Sequence, residues 1–340
     1  MSTVYFKSYE GQDLSELSKI GAQLFELLVK DYKGNLDGQV PIKVHFGEKG
    51  NKTFVPASVY DGIIDQLQAR DIESSFIETN VLYRGERTTR DSHIALAKDH
   101  GFTRLPIIIA DGDQGEAVHE VVIDQEYYKS VKLGAAFKDF KHIVVTSHFK
   151  GHGLAGFGGA LKQLAMGFAS RSGKMAQHSR MVPTVNQDKC TACGLCVKKC
   201  DVTAITLEPK AIIHESKCVG CAGCIAVCPV AAIRNDWGAS NFREKVAEYA
   251  YGAQLEKDYF YISFLYNITK ECDCIGQAME PITKNFGVMA SLDPVALDKA
   301  SIDLVQDYTN SNLFDSGRET LNHCEQINFG DQNYTLVEVQ

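Results

Sequence analysis

Residues 142–170 read HIVVTSHFKGHGLAGFGGALKQLAMGFAS. In the first six, Ile143–Thr146 are β-branched, and His142–Ser147 reads as a strand. A glycine-rich loop follows, and Gly156–Ser170 reads as a helix with small residues on one face. This strand–loop–helix order is the unit of an α/β fold.

The same alternation continues on both sides. Toward the N-terminus, Leu14, Leu17, Ile20, Leu24, Leu27 and Leu28 recur at helical spacing within 13–31. Val40–Phe46, Ser75–Thr79, Pro106–Ala110 and Val118–Ile123 read as strands. Helices are expected from Pro56 to about Ala69 and over Asp91–His100. Beyond residue 236, Phe242–Leu255 reads as a helix. Tyr259–Ile268 (YFYISFLYNI) is almost continuously apolar, as in a strand covered on both faces. Phe286–Ala290 and Thr335–Val339 are further strands, and Pro294–Asp307 is a helix capped by Asp293. The fold class expected is α/β: a mostly parallel sheet interrupted by a small α+β domain of bacterial-ferredoxin type. The boundaries are 1–185 for the first part, 186–236 for the insert and 237–340 for the return.

The insert is defined by a repeat. Cys190, Cys193, Cys196 and Cys200 recur 28 residues later (218 − 190) as Cys218, Cys221, Cys224 and Cys228. Each half is C-x2-C-x2-C-x3-C, the spacing of two-cluster bacterial ferredoxins. Three closely spaced cysteines wrap one [4Fe–4S] cluster, and the fourth reaches the other. Cys190, Cys193, Cys196 and Cys228 are therefore expected on one cluster, and Cys218, Cys221, Cys224 and Cys200 on the second. Asp201 stands where the pattern has proline, whereas Pro229 follows Cys228 as expected. Zinc would prefer paired C-x2-4-C units across a longer spacer. Eleven cysteines, an odd number, also point away from a disulfide framework.

Composition narrows the function classes. The chain has 340 residues, with 35 Lys and Arg against 43 Asp and Glu, a net charge of −8. That acidity argues against nucleic acid or a membrane surface as the main partner. The opening MSTVYFKSYEG lacks the apolar stretch of a signal peptide, and no apolar run approaches a membrane span. A cytoplasmic protein is expected.

No acid occurs between Asp139 and Asp188, yet Lys141, Lys150, Lys162, Arg171, Lys174 and Arg180 all fall there. Residues 151–156, GHGLAG, match G-x-G-x-x-G, but a dinucleotide site also wants an acid about 20 residues on, and there is none. Gly151, Gly153, Gly156 and Lys162 are instead candidates for binding an anion, by amides and ammonium. The alternative is that the glycines serve close packing and the cations face the acidic C-terminal segment.

Cys272 and Cys274 flank Asp273 just past the apolar strand. Extended, their thiols would share a face, offering a pair for a further metal or for catalysis. His148, Lys150 and His152 bracket the glycine loop and complete the catalytic candidates. Asp111 and Asp113 read as turn residues, and Glu48 as a residue of the same sheet edge. His45 reads as a core histidine.

Four separated stretches, KVHFGEKGN (43–51), SHFKGHGLAGFGGALKQLAMG (147–167), GKMAQH (173–178) and SLDPVALDKASIDLV (291–305), together resemble the ferredoxin-type family called domain of unknown function 362. The resemblance implies an α/β iron–sulfur protein with two [4Fe–4S] clusters and leaves the substrate open. The function expected is electron exchange between the clusters and an anionic small molecule in the α/β domain, in a redox enzyme served by a redox partner protein. Two alternatives stand beside it. One is a non-catalytic electron-transfer protein that docks a partner enzyme. The other is a metal-handling maturation factor using Cys272 and Cys274.

Overall fold

In the computed structural model, the run that opens at Tyr259 lies at the middle of an eight-stranded sheet. Residues 84, 179–181, 201, 219, 221, 235–240 and 256 apart, the whole chain is described. Cys221, Asp201 and Arg180 therefore lie outside the described residues.

The first part runs β1 (Ser2–Ser8), α1 (Leu14–Asp31), β2 (Ile42–Lys43), α2 (Asp61–Gln68), β3 (Phe76–Glu78), α3 (Arg90–Asp99), β4 (Ile107–Ile109), β5 (Val118–Val122), β6 (Ser130–Gly134), β7 (His142–His148), β8 (Lys150–His152), β9 (Gly156–Gly158), α4 (Ala160–Phe168) and α5 (Arg171–His178). The insert adds β10 (Thr184–Val185), α6 (Leu195–Lys199), β11 (Ile205–Leu207), β12 (Ala211–Ile213), α7 (Gly223–Val227) and β13 (Ile233–Arg234). The return is α8 (Phe242–Gln254), β14 (Asp258–Leu265), β15 (Gly287–Ser291), α9 (Pro294–Thr309), α10 (Arg318–Gln326) and β16 (Tyr334–Glu338).

The sheet order is β16-β1-β15-β14-β7-β2-β3-β4. Every pairing is parallel except the two made by β15. The expected mostly parallel α/β sheet is thus present, and β14 from the return lies beside β7 from the first part. Successive side chains of a strand point to opposite faces. Tyr259, Tyr261 and Leu265 accordingly enter the core under α4, α8 and α9, while Phe260, Ile262 and Phe264 enter the core under α1 and α2. This double burial explains the apolar run of Tyr259–Leu265, which only Ser263 interrupts.

Three local readings are corrected. Apart from the half-buried His45, Val40–Phe46 is buried, but it supplies only the two-residue β2. The helix expected from Gly156 begins at Ala160, because Lys150–Gly158 folds as the hairpin of β8 and β9. Val118–Ile123 forms β5, but it pairs with β6 in a separate hairpin rather than joining the main sheet. Its ends, Val118 and Val122, are exposed, so nothing drives it into the sheet.

The insert has its own small core of Cys196, Ile205, Ala211, Cys224, Cys228, Ala232 and Ile233. Two antiparallel pairs, β10 with β13 and β11 with β12, frame the two short helices. Among the described residues, no helix is long and apolar enough to cross a membrane.

Candidate functional site

Parallel strands β14, β7, β2, β3 and β4 end on one edge, and α/β proteins place their sites in the crevice outside such ends. The chain leaving four of these strands surrounds a cavity of about 60 Å³ there. Water-sized space of that volume holds only about four waters, which suits a small ion or molecule. His45 follows β2, Glu78 ends β3, His148 ends β7 with Lys150 just after it, and Cys272 and Cys274 lie beyond β14; all line the cavity. Lys162 and Lys174, from α4 and α5, close it.

Four of the five catalytic candidates therefore meet. Cys272 and Cys274 are not extended. They sit in a turn closed by the Ile275 amide donating to the Cys272 carbonyl at 3.0 Å, and their Sγ atoms are 3.2 Å apart. Asp273 between them is fully buried, with Oδ2 lying 2.8 Å from both His148 Nδ1 and Lys150 Nζ. Burial alone would raise its pKa, but His148 and Lys150 overcome this and hold it well below the usual carboxylate range. Lys162 Nζ lies 3.7 Å from Cys272 Sγ, and His45 Nε2 lies 3.5 Å from Cys274 Sγ. The hydrogen bond from Cys272, aided by His45 and Lys162, lowers Cys274 against the effect of burial; the same bond, with burial, raises Cys272.

His152 does not line the cavity. Its Nδ1 accepts from the Leu154 and Ala155 amides at 3.3 and 3.0 Å, which fastens the β8–β9 turn. The glycine candidates also serve packing. A Cβ at Gly151 would strike the Lys270 carbonyl, and Gly156 has φ +84 against the Gly317 backbone. The α4 N-terminus, where an outside anion was expected, is closed by the Asp298 carboxylate on the Ala160 and Leu161 amides. Gly153 faces the Glu271 carboxylate. Lys162 is the anion candidate that remains in the cavity.

Several site residues escaped the sequence reading. His45 lies at the cavity rather than in the core. Arg87 Nη1 is 3.0 Å from His45 Nε2, and Arg87 Nε lies 3.2 Å from Glu48. Lys43, fully buried, pairs with Glu78 at 3.2 Å. Burial opposes ionisation of Glu78, yet Lys43 and Lys174 bring its pKa down to about 2. The stretch KVHFGEKGN carried the only available signal: three charged residues and a histidine beside a buried strand. Asp111 is fully buried and accepts from the Asn80 amide at 2.9 Å, more than a surface turn requires, whereas Asp113 is an exposed partner of Arg90.

In the insert, the cysteines line two separate cavities. Cys190, Cys193, Cys196 and Cys228 line one, and Cys200, Cys218 and Cys224 line the other. The Ala204 amide donates to Cys200 Sγ at 3.1 Å, and its counterpart Ala232 donates to Cys228 Sγ at 3.2 Å. Ala192 and Ala222, which are not glycines, take positive φ of 55 and 57, turning the backbone around each cavity. A ring of thiols with amides aimed at sulfur is the donor chemistry of an iron–sulfur site, so the residues present fit the group.

The family model described as Domain of unknown function (DUF362) matches residues 40–303. The chain belongs to this family. The DUF362 match takes in every cavity residue named above and the whole insert. Two solved structures are similar. One is a crystal structure of a protein from Thermotoga maritima, at 10% identity and TM-score 0.45, covering 94% of this chain and 61% of that one. The other is the lactate racemase apoprotein from Thermoanaerobacterium thermosaccharolyticum, at 11% identity and TM-score 0.44, covering 90% of this chain and 57% of that one. The chain spans about three fifths of the length of each. Neither likeness bears on function. No curated protein matches the sequence.

Proposed function

We propose that this DUF362 protein is an iron–sulfur redox enzyme, with two [4Fe–4S] clusters in the insert exchanging electrons with a small anion in the strand-end cavity. The observation that carries the reading is the partition of the repeat's thiols. Cys228 lies with the first three cysteines and Cys200 with the second set, as crossed ligation requires. Bound there, the clusters supply one-electron transfer.

The chain's own residues do the rest. Ala222, on the loop entering α7, packs with Leu82 and Met175, and the adjacent Val81 and Lys174 line the cavity. The second set of thiols is thereby brought close to the cavity wall. Among the described lining residues, Arg87, Lys150, Lys162 and Lys174 stand with the one carboxylate of Glu78, while Glu48 and Asp273 pair with Arg87 and Lys150 from outside the lining; the cations facing the space outnumber the carboxylates, which favours an anion. The Ser147 hydroxyl, buried and lining the same space, has no hydrogen-bond partner among the described residues and is free to donate to it.

The test is a metal and sulfide inventory of the full chain purified without oxygen, followed by re-oxidation of the reduced protein with a panel of small oxoanions and carboxylates. About eight irons per chain are expected, with re-oxidation by one class of anion that is slowed at least tenfold in Lys150→Met. Zinc in place of iron would overturn the cluster reading. Iron without any anion-dependent re-oxidation would overturn the enzymatic one.

A further inference from the structure

Cys272 and Cys274 have no evident structural task. Buried free cysteines usually serve as small apolar side chains, each packed alone. Here the two sulfurs are 3.2 Å apart and line the cavity together, beside an ammonium and an imidazole. The residue between them is anchored by His148 and Lys150, so the turn holds both thiols at the cavity.

Two chemistries suit such a pair: shared metal ligation, or a disulfide. The Lys162 ammonium, 3.7 Å from Cys272 Sγ, puts a positive charge where a further metal ligand would be wanted. A disulfide needs only that the sulfurs close from 3.2 Å to about 2.05 Å, a shift of the size side-chain rotation provides.

We propose that Cys272 and Cys274 form a reversible two-electron dithiol–disulfide couple at the wall of the cavity. The couple lets one-electron clusters serve a two-electron substrate. In the oxidative direction the two S–H bonds break and one S–S bond forms. Two protons pass to solvent through the cavity, and one electron goes to each cluster. In the reductive direction a ferredoxin-type one-electron donor protein reloads the clusters, and their two electrons with two protons restore the thiols. Only this electron source rests on the proposed function; the couple itself rests on the geometry of the turn.

The test uses the full chain, purified without oxygen and equilibrated with mixtures of reduced and oxidised dithiothreitol. The samples are quenched with an alkylating reagent and read by peptide mass spectrometry, with iron measured on the same samples. Cys272 and Cys274 should oxidise together, the disulfide-to-dithiol ratio rising tenfold for each tenfold rise in the oxidised-to-reduced reagent ratio. In Cys272→Ser and in Cys274→Ser the remaining thiol should alkylate fully in every mixture. Full alkylation of both thiols of the folded wild type in the most oxidising mixture would overturn the couple. So would a stoichiometric metal lost only in the double variant. Eight irons without the disulfide defeat the couple alone. Zinc without iron defeats the cluster reading, and the wild-type thiol titration still decides the couple.

Discussion

Asp298 Oδ1 accepts the Ala160 amide at 2.7 Å, and its Oδ2 accepts the Leu161 amide at 2.8 Å. A carboxylate on α9 thus caps α4, joining the return to the first part across the insert. Gly159 has no side chain because a Cβ there would meet the same carboxylate. Burial pushes Asp298 up to about 7 even though the two amides pull the other way. Asp298→Ala should cost about 1–2 kcal/mol, the usual value of a lost helix cap. Asp298→Asn, which keeps one acceptor oxygen, should cost less. Urea denaturation measures both. Gly159→Ala should be strongly non-additive with Asp298→Ala, because each removes the same contact; additive costs would count against the cap.

The Lys43–Glu78 pair makes a pH-dependent prediction. Both side chains are buried, so Glu78→Gln leaves the Lys43 ammonium without its partner and should cost about 3–5 kcal/mol near neutral pH. The folded pKa of Glu78, about 2, lies below its ordinary 4.5. The folded state therefore binds the proton less readily than the unfolded state. The stabilisation is fully present above pH 4.5 and is lost as pH falls toward 2. The stability gap between wild type and Glu78→Gln should narrow over that window in thermal melts followed by circular dichroism. A gap that widened on acidification would refute the assignment.

Much of this architecture was readable from residue patterns. The alternation of Tyr259–Leu265 between two cores calls for apolar residues at all but one position, Ser263, and a single run revealed it. The insert's repeat was legible because its cysteine spacing occurs twice, and its described thiols divide between two cavities. The strand-end cavity was less so. Glu78 ends β3, His45 follows β2 and Arg87 lies in the short helical turn Glu86–Thr88, all separate elements, and a residue facing a cavity is spaced like one facing the core. The glycine loop left two readings open, because glycine marks tight packing as readily as amide exposure. Only the contacts at Gly151, Gly156 and Asp298 separate the two.

Asp273 offers a local test of the site. Its Oδ2 takes both His148 and Lys150, while its Oδ1 has no hydrogen-bond partner among the described residues. Asp273→Asn should remove the charge that compensates Lys150 and cost about 3 kcal/mol or more. It should also loosen the turn, so that alkylation of the cysteines at 272 and 274 quickens at least tenfold in a stopped-time assay. Unchanged alkylation would separate the anchor from the thiols.

The crossed arrangement of the insert gives the sharpest expectation. Cys200 follows three cysteines of the first half in sequence, yet it lines the cavity with Cys218 and Cys224. On the proposed ligation, Cys200→Ser should remove the second cluster and leave the first, held by Cys190, Cys193, Cys196 and Cys228. Iron should fall from about eight to about four per chain. Magnetic coupling between two reduced centres should vanish from the electron paramagnetic resonance spectrum, leaving one isolated signal. Cys228→Ser should do the reverse, sparing the cluster beside Ala222 and with it electron delivery to the cavity. Loss of activity in Cys228→Ser equal to that in Cys200→Ser, with four irons retained in each, would mean that both clusters stand in series. Loss of all eight irons from a folded Cys200→Ser protein would refute crossed ligation itself.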